Sequence, residues 1–375
     1  MSKQPIALFF ADAHLDTHAW ANRPKVHGDS MAAFSHIINK ACELEVDTIV
    51  GAGDLIDVKK PTPAVANFIR QQLDQAKDCG ITFAFIQGQH ELSRDVPWFS
   101  AMHSGTEHID GALLYLSETV PVYAIDWQPA SKVADAIAEI PDEASIIVMH
   151  QVWKQFMGIQ CAAEASFSQI PGTGKLLFTG DYHFNMDAVY DGRDDPLRVI
   201  SPGSTNIRAI NEPGDKYFYV LYDNGEFEAC SIPSRLKQEV RVRDAQEVSD
   251  FCSNWPMLHQ DMMDISATLP EELRYPLLWL KYPIDMPEAF TEIEKIVDGK
   301  AEIFRKEIAA DRDESVVLSR IERDTAVSSG LLSCLELLVE RDSEDYGVLY
   351  ELLTADDQAA ALDRIREARG VPSEA

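Results

Sequence analysis

Residues 48–57 read TIVGAGDLID: a short β-rich run, Thr48–Val50, closes in a glycine turn that delivers two carboxylates, Asp54 and Asp57. The same phrase recurs on either side. Ile6–Phe10 is followed by Asp12-Ala13-His14, Ile81–Ile86 by Gly88-Gln89-His90-Glu91, Ser145–Met149 by His150, and Lys175–Phe178 by Gly180-Asp181-Tyr182-His183. Runs that are apolar throughout suit strands covered on both faces. Between the first three lie segments of helical period, Ser30–Leu44 and Pro63–Cys79, the second opening after Pro61-Thr62 and closed by Gly80. Strand-helix-strand alternation predicts an α/β sheet with parallel pairs, and such sheets gather ligands outside the carboxyl ends of their strands. One Asp-x-His or Gly-Asp turn is more often a capping carboxylate beside a surface imidazole. Five at successive strand ends predict a metal cluster.

Farther along, Leu197–Ile200 reads as another strand, and Tyr217–Tyr222, Asp223-Asn224-Gly225 and Glu226–Ser231 read as a hairpin whose Asn-Gly supplies positive φ. After Pro233 the order is strand Glu239–Arg243, helix Ala245–Asn254, strand Pro276–Tyr282, helix Pro287–Asp298 and strand Ala301–Ile308. That βαβαβ order predicts a small α+β domain. From Glu314 onward only amphipathic helical segments remain: Gly330–Glu340, Tyr346–Leu353 and Asp356–Ala368. The expected organisation is an α/β domain over residues 1–235, an α+β cap over 236–310 and a helical C-terminal segment over 311–375.

The chain has 375 residues, 46% hydrophobic and 25% charged, which excludes a disordered or low-complexity protein. Its 33 basic and 62 acidic side chains give a net charge of −29, which argues against capturing polyanions by bulk electrostatics. Nucleic-acid chemistry must then be done by local sites. No apolar run approaches the ~18 residues of a membrane span, and Ile6–Phe10 is too short for a signal peptide, so the expectation is a soluble, cytoplasmic chain. The cysteines at 42, 79, 161, 230, 252 and 334 are scattered without a C-x-x-C pair and are expected to be reduced.

Asp12-x-His14, Gly53-Asp54-x-x-Asp57, Gly88-Gln89-His90-Glu91, His150 and Gly180-x-x-His183 resemble the five motifs of the calcineurin-like metallophosphoesterases. Within that superfamily, Asp12-Ala13-His14-Leu15, Ala52-Gly53-Asp54-Leu55-Ile56-Asp57 and Pro202-Gly203-Ser204 with Arg208, Glu212 and Lys216 are similar to SbcD-type DNA-repair nucleases. The resemblance implies a layered β-sandwich flanked by helices and a two-metal DNA exonuclease and endonuclease. Asp12, His14, Asp54 and His183 would hold one ion. Asp54, Gln89, His150 and Asp181 would hold the other, with Asp54 bridging. His90 would serve as transition-state acid or phosphate donor oriented by Asp57, for which a turn-stabilising role is the alternative. Arg208 and Lys216 either touch a DNA backbone or neutralise Glu212. Mixed carboxylate, imidazole and amide donors favour manganese, with magnesium and iron as alternatives. The family's partners are an SMC-type ATPase of the SbcC kind, docked on the C-terminal helices, and a second copy of the chain.

Two positions depart from the family pattern: Gln89 stands where asparagine is usual and Asp181 where histidine is usual. With three aspartates as ligands, the charge of a two-ion cluster falls from +2 to +1, which favours a harder cation. Two other readings follow from the same residues: a stand-alone phosphatase or phosphodiesterase for nucleotides and small phosphoesters, and a scaffold whose second metal position has weakened.

Overall fold

The computed structural model describes residues 3–308 apart from 16–22, 24, 117–119, 158–162, 173–174 and 192–194, so the helices expected over residues 314–368 lie outside the described residues. The first sheet takes its strands in the order β12-β11-β1-β2-β3-β4. Its elements are β1 (Pro5–Phe10), β2 (Thr48–Ala52), β3 (Thr82–Ile86), β4 (Thr106–His108), β11 (Lys216–Tyr222) and β12 (Phe227–Ile232). β1 to β4 run parallel, and β11 and β12 close the far edge antiparallel. Why these runs are apolar at every position is plain from their period of two. Ala7, Phe9, Val50, Ala52, Ala84 and Ile86 face one core. Leu8, Phe10, Ile49, Phe83 and Phe85 face another, against Phe34, Ile37 and Ile38 of helix Asp29–Glu43 and Ile69 and Leu73 of helix Pro63–Asp78.

The second sheet has the order β5-β6-β7-β8-β10-β9. It comprises β5 (Ala112–Leu116), β6 (Val120–Ile125), β7 (Ile146–His150), β8 (Leu176–Gly180), β9 (Met186–Tyr190) and β10 (Leu197–Ser201). Val122, Ala124, Ile146, Val148, Phe178 and Ile200 pack into the same core as Ala7 and Phe9, with the Phe9 and Phe178 rings 5.1 Å apart. The result is the expected layered α/β sandwich. At the hairpin of β11 and β12 only Gly225 takes a positive φ, 82°, while Asn224 accepts the Glu226 N–H on its side chain at 3.0 Å. The turn is therefore a longer one than the two-residue form the Asn-Gly pair suggests.

A third, parallel sheet of β13 (Lys237–Arg241), β14 (Leu277–Pro283) and β15 (Glu302–Ile308) carries helices Ala245–Ser266 and Pro287–Val297 in the expected βαβαβ order. It has its own core, with Trp255, Leu278, Leu280, Tyr282 and Ile293 among its buried members. The Arg235 guanidinium, 2% exposed, binds both Asp29 oxygens at 2.9 and 2.5 Å and donates to the Tyr275 and Glu272 carbonyls. Lys154–Met157 forms one helical turn. Among the described residues no helix is long and apolar enough to cross a membrane.

The cysteine expectation needs one correction: Cys42 and Cys79 are disulfide-bonded, with Cα atoms 5.7 Å apart. Cys42 closes one outer helix and Cys79 caps the other, and the two helices pack side by side, a proximity that scattered sequence positions do not reveal. Cys230 and Cys252 are free thiols.

Replacing Asp29 with alanine leaves Arg235 buried without its carboxylate. The expected cost is about 3–5 kcal/mol in a urea titration. A change below 1 kcal/mol would mean that the ion pair does not hold β13 to the first helix.

Candidate metal centre

The backbone at the strand tips is unusual before any side chain is considered. Asp12 (φ 52°), His14 (45°), Asp54 (49°) and Asp181 (79°) occupy the left-handed region, and the only other described non-glycine residue there is Glu45. Such conformations persist where surrounding structure over-determines them, and they cluster at functional sites. Here the loops after β1 and β2 are laced together: the Asp12 N–H donates to the Gly53 carbonyl at 3.1 Å and the His14 N–H to the Asp54 carbonyl at 2.9 Å. Glycine is required for close approach at Gly88 and Gly180. A Cβ on Gly88 would lie 2.1 Å from Asp54 Oδ1, and one on Gly180 2.4 Å from His150 Nδ1.

The predicted ligands of the first position meet. Nε2 of His14 and Nε2 of His183 face each other at 3.2 Å, and Asp12 Oδ1 lies 3.6 Å from the first and 3.7 Å from the second. Two ligands on one ion at ~2.1 Å are separated by about 3.0–3.5 Å, so the imidazole pair already has ligand spacing and the carboxylate needs to move only a few tenths of an ångström. The proton positions agree. His14 Nδ1 bonds Asp57 Oδ1 at 3.1 Å and His183 Nδ1 bonds Glu212 Oε1 at 2.9 Å; ionised carboxylates only accept, so each neutral ring carries its proton on Nδ1 and turns a lone pair inward. Two lone pairs at 3.2 Å repel unless positive charge stands between them, either a metal ion or the proton that, against burial, Asp12, Asp57 and Asp54 favour on His14.

The second position forms on the other sheet's tips. His150 Nε2 lies 3.2 Å from Asp54 Oδ2, 3.8 Å from Asp181 Oδ1 and 3.9 Å from Asp12 Oδ1. Its Nδ1 donates to the Ala52 carbonyl at 2.8 Å, so Nε2 is the nitrogen that turns a lone pair inward when the ring is neutral. Both His150 Nε2 and Gln89 Oε1 are buried without a hydrogen-bond partner, the condition expected of atoms meant for an ion. Gln89 Nε2 donates to Asp181 Oδ1. Asp54 Oδ2, 3.8 Å from His14 Nε2 and 3.2 Å from His150 Nε2, is placed to serve both positions. Three groups of Asp and His donors at this site lie close enough together to hold a metal ion: Asp12, His14 and His183; His14, Asp54 and His90; Asp12, Asp54 and His150.

The electrostatics follow from burial and proximity. Burial alone would lower His150, yet the Asp54, Asp12 and Asp181 charges raise it well above the ordinary imidazole value. Burial would raise Asp54, yet His150 and His14 hold it far below the usual carboxylate range. Glu91, whose Oε1 takes the Leu55 and Gly88 N–H groups at 3.2 and 3.0 Å, is pushed up to about 8 by burial and then by Asp54.

His90 stands at the open side, more than a third exposed, with Nε2 3.7 Å from Asp54 Oδ2. Its Nδ1 bonds the Asp57 backbone carbonyl at 3.1 Å and lies 3.4 Å from the Asp57 carboxylate. Asp57 therefore orients His90 chiefly through its backbone, while its carboxylate serves His14 and takes the Arg208 guanidinium. Lys216 requires correction as a DNA contact: it is 3% exposed, and its ammonium is spent on Glu212 Oε2 at 2.9 Å and Ser204 Oγ at 2.8 Å. Glu212 is the residue sequence reasoning placed beside the site without a task. It holds His183, the Ser204 hydroxyl and the Arg208 N–H at once. Its spacing to Lys216, four residues, was the only available signal. A separate group, His108, Asp110 and Asp126, has its buried carboxylate occupied already by Gln87 and His108.

No protein-family model matches the chain. It is 25% identical over 318 residues to the "DNA double-strand break repair protein Mre11" of Methanosarcina acetivorans, across 82% of this chain and 50% of that protein. It is 25% identical over 369 residues to the protein of the same name from Sulfurisphaera tokodaii, across 80% of this chain and 93% of that one. It is also 24% identical over 263 residues to the "Uncharacterized metallophosphoesterase YhaO" of Bacillus subtilis, across 64% and 62% of the two chains. The chain thus spans half the length of the first of these relatives.

Glu212 supplies a prediction for the metal-free protein. Burial works to raise its carboxyl, but His183 and Lys216 bring it down to about 2 from an ordinary 4.5. A lowered folded value stabilises above pH 4.5 and is lost as pH falls toward 2. Glu212→Gln is expected to cost on the order of 3 kcal/mol at pH 7, the gap to wild type closing in denaturant titrations as the pH drops through that window. A gap independent of pH would refute the assignment.

Proposed function

We propose that this chain, which belongs with the Mre11 and SbcD-type proteins of the calcineurin-like metallophosphoesterases, is a metal-dependent nuclease that hydrolyses DNA phosphodiesters with two divalent ions. The observation that carries the reading is the pair of inward-facing imidazoles, His14 and His183, each fixed by a carboxylate behind it and sharing Asp12 in front. Ions held there would supply a water of lowered pKa and positive charge opposite a phosphoryl group. Asp12, His14, Asp54 and His183 would hold the first, and Asp54, Gln89, His150 and Asp181 the second. Manganese suits this donor set best, ahead of magnesium and iron.

The chain's own residues perform the remaining work. His90, exposed at the open side and oriented at Nδ1 by Asp57, keeps Nε2 free to hydrogen-bond a phosphoryl oxygen or give its proton to the leaving oxygen. Arg208 and Lys216 neutralise Asp57 and Glu212, so the carboxylates that steady the histidines do not repel the phosphate. Lys216, buried against Glu212, is not available to grip a DNA backbone. With a net charge of −29, duplex affinity then falls to the bound ions and to a partner surface, the ATPase of SbcC type that the motif resemblance implies together with a second copy of the chain. The same shortage of cations favours, as a second reading, a phosphodiesterase for small phosphoesters.

The test is manganese-dependent cleavage of end-labelled linear DNA beside hydrolysis of a small chromogenic diester. Wild type is expected to cut both; His90→Ala is expected to lower kcat by about 10²–10⁴-fold and Asp54→Ala to abolish turnover. Hydrolysis of the small diester without DNA cleavage, alone or with an ATPase partner, selects the second reading. Full DNA cleavage by Asp54→Ala contradicts both. Without a partner, the chain is expected to hold duplex DNA weakly at physiological salt, read by fluorescence anisotropy; tight, salt-insensitive binding would overturn the electrostatic account.

A further inference from the structure

The two ligand positions differ in donor chemistry. The first has two imidazole nitrogens, His14 and His183, with Asp12 and Asp54. The second has a single nitrogen, His150 Nε2, with carboxylate oxygens of Asp54 at 3.2 Å and Asp181 at 3.8 Å, and Gln89, which holds Asp181, keeps its own Oε1 buried and unpartnered. The two residues that make it oxygen-rich touch each other: Gln89 Nε2 donates to Asp181 Oδ1. We propose that Gln89 and Asp181 work as one coupled unit that shifts the second position away from zinc and toward an oxygen-preferring cation, manganese or magnesium, relative to an asparagine and histidine pair there, an inference that rests on the two-ion reading above.

The geometry of an amide makes the coupling specific. With its nitrogen committed to Asp181, Gln89 has only Oε1 left, and that atom is buried without any partner. A stranded carbonyl oxygen is costly unless a cation takes its lone pair. The contact also steadies Asp181. Its backbone is held at φ 79° by an N–H shared between both Asp12 oxygens at 3.1 Å, and its carboxylate is held by the Gln89 amide, so it presents its oxygen at 3.8 Å from His150 Nε2. Reach matters as well. Glutamine is one methylene longer than asparagine, and aspartate is shorter than histidine, so a long arm meets a short one across the position. Changing either alone leaves a gap or a clash; changing both exchanges long for short. Imidazole donors suit zinc and iron, whereas carboxylate and amide oxygens suit manganese and magnesium.

The experiment is metal titration of the full chain by calorimetry, with metal content after desalting measured by mass spectrometry, for wild type, Gln89→Asn, Asp181→His and the double variant. Wild type is expected to bind two manganese ions and to show a smaller zinc-over-manganese preference at the weaker one than the double variant shows. Each single variant is expected to lose about 10–100-fold in affinity for that ion. The double variant is expected to recover occupancy and to take zinc in preference to manganese there. Asp181→Asn, nearly the same size, is expected to keep the Gln89 contact and still weaken the second ion. Retention of the first ion in every variant reports an intact fold. Losses that multiply in the double variant, singles that bind like wild type, or the same zinc-over-manganese ratio at the second position in wild type and double variant would each overturn the coupling. Fewer than two ions in wild type would instead overturn the two-ion reading on which it rests.

Discussion

Two carboxylates, Asp12 and Asp54, are buried almost completely at adjacent strand tips. Removing an ionised carboxylate from water is prohibitive unless opposite charge replaces the solvent, and here the facing groups are imidazoles bonded outward through Nδ1, whose Nε2 atoms either carry that charge as protons or turn lone pairs to a bound cation. Local positive charge is what the arrangement demands. Many other features serve that demand: the left-handed backbone at Asp12, His14, Asp54 and Asp181, the bare glycines at 88 and 180, and the second ring of carboxylates behind the histidines.

The site is built across two sheets. Asp12, His14, Asp54, Gln89 and His90 follow strands of the first, and His150, Asp181 and His183 follow strands of the second. The gap between the sheets is set by the shared core, where small residues such as Ala7, Ala52, Ala84 and Ala124 alternate with Phe9 and Phe178. Sandwich packing at about 10 Å then brings tips of opposed sheets within reach of one another's side chains. The spacing of these side chains is a property of core packing, so a core substitution that shifts one sheet is felt at the candidate metal centre. The outer carboxylates, Asp57 and Glu212, are matched one for one by Arg208 and Lys216, which confines unbalanced negative charge to the ligands themselves.

The strands that carry ligands were legible because burial on both faces makes them continuous apolar runs, and the five loops were legible because each follows such a run directly. Other strands were not. β6 contains Pro121, which weakens a strand reading although it sits at the strand's start, and β9 is an edge strand whose middle residues are exposed and carry no apolar period. The roles of Glu212 and Lys216 were hidden for a different reason. Glutamate 212 meets His183 through the fold, at a separation of 29 residues, and a lysine buried against it looks in sequence like any surface cation. The pairing of Cys42 with Cys79 depends likewise on two helices lying side by side.

The most direct test is a crystal structure of the chain with manganese, read by anomalous scattering at the metal's absorption edge. Two peaks are expected a few ångströms apart with Asp54 between them, one against His14 and His183, the other against His150, Asp181 and Gln89. An absence of peaks at saturating manganese, with these side chains turned away from one another, would contradict the account at its root.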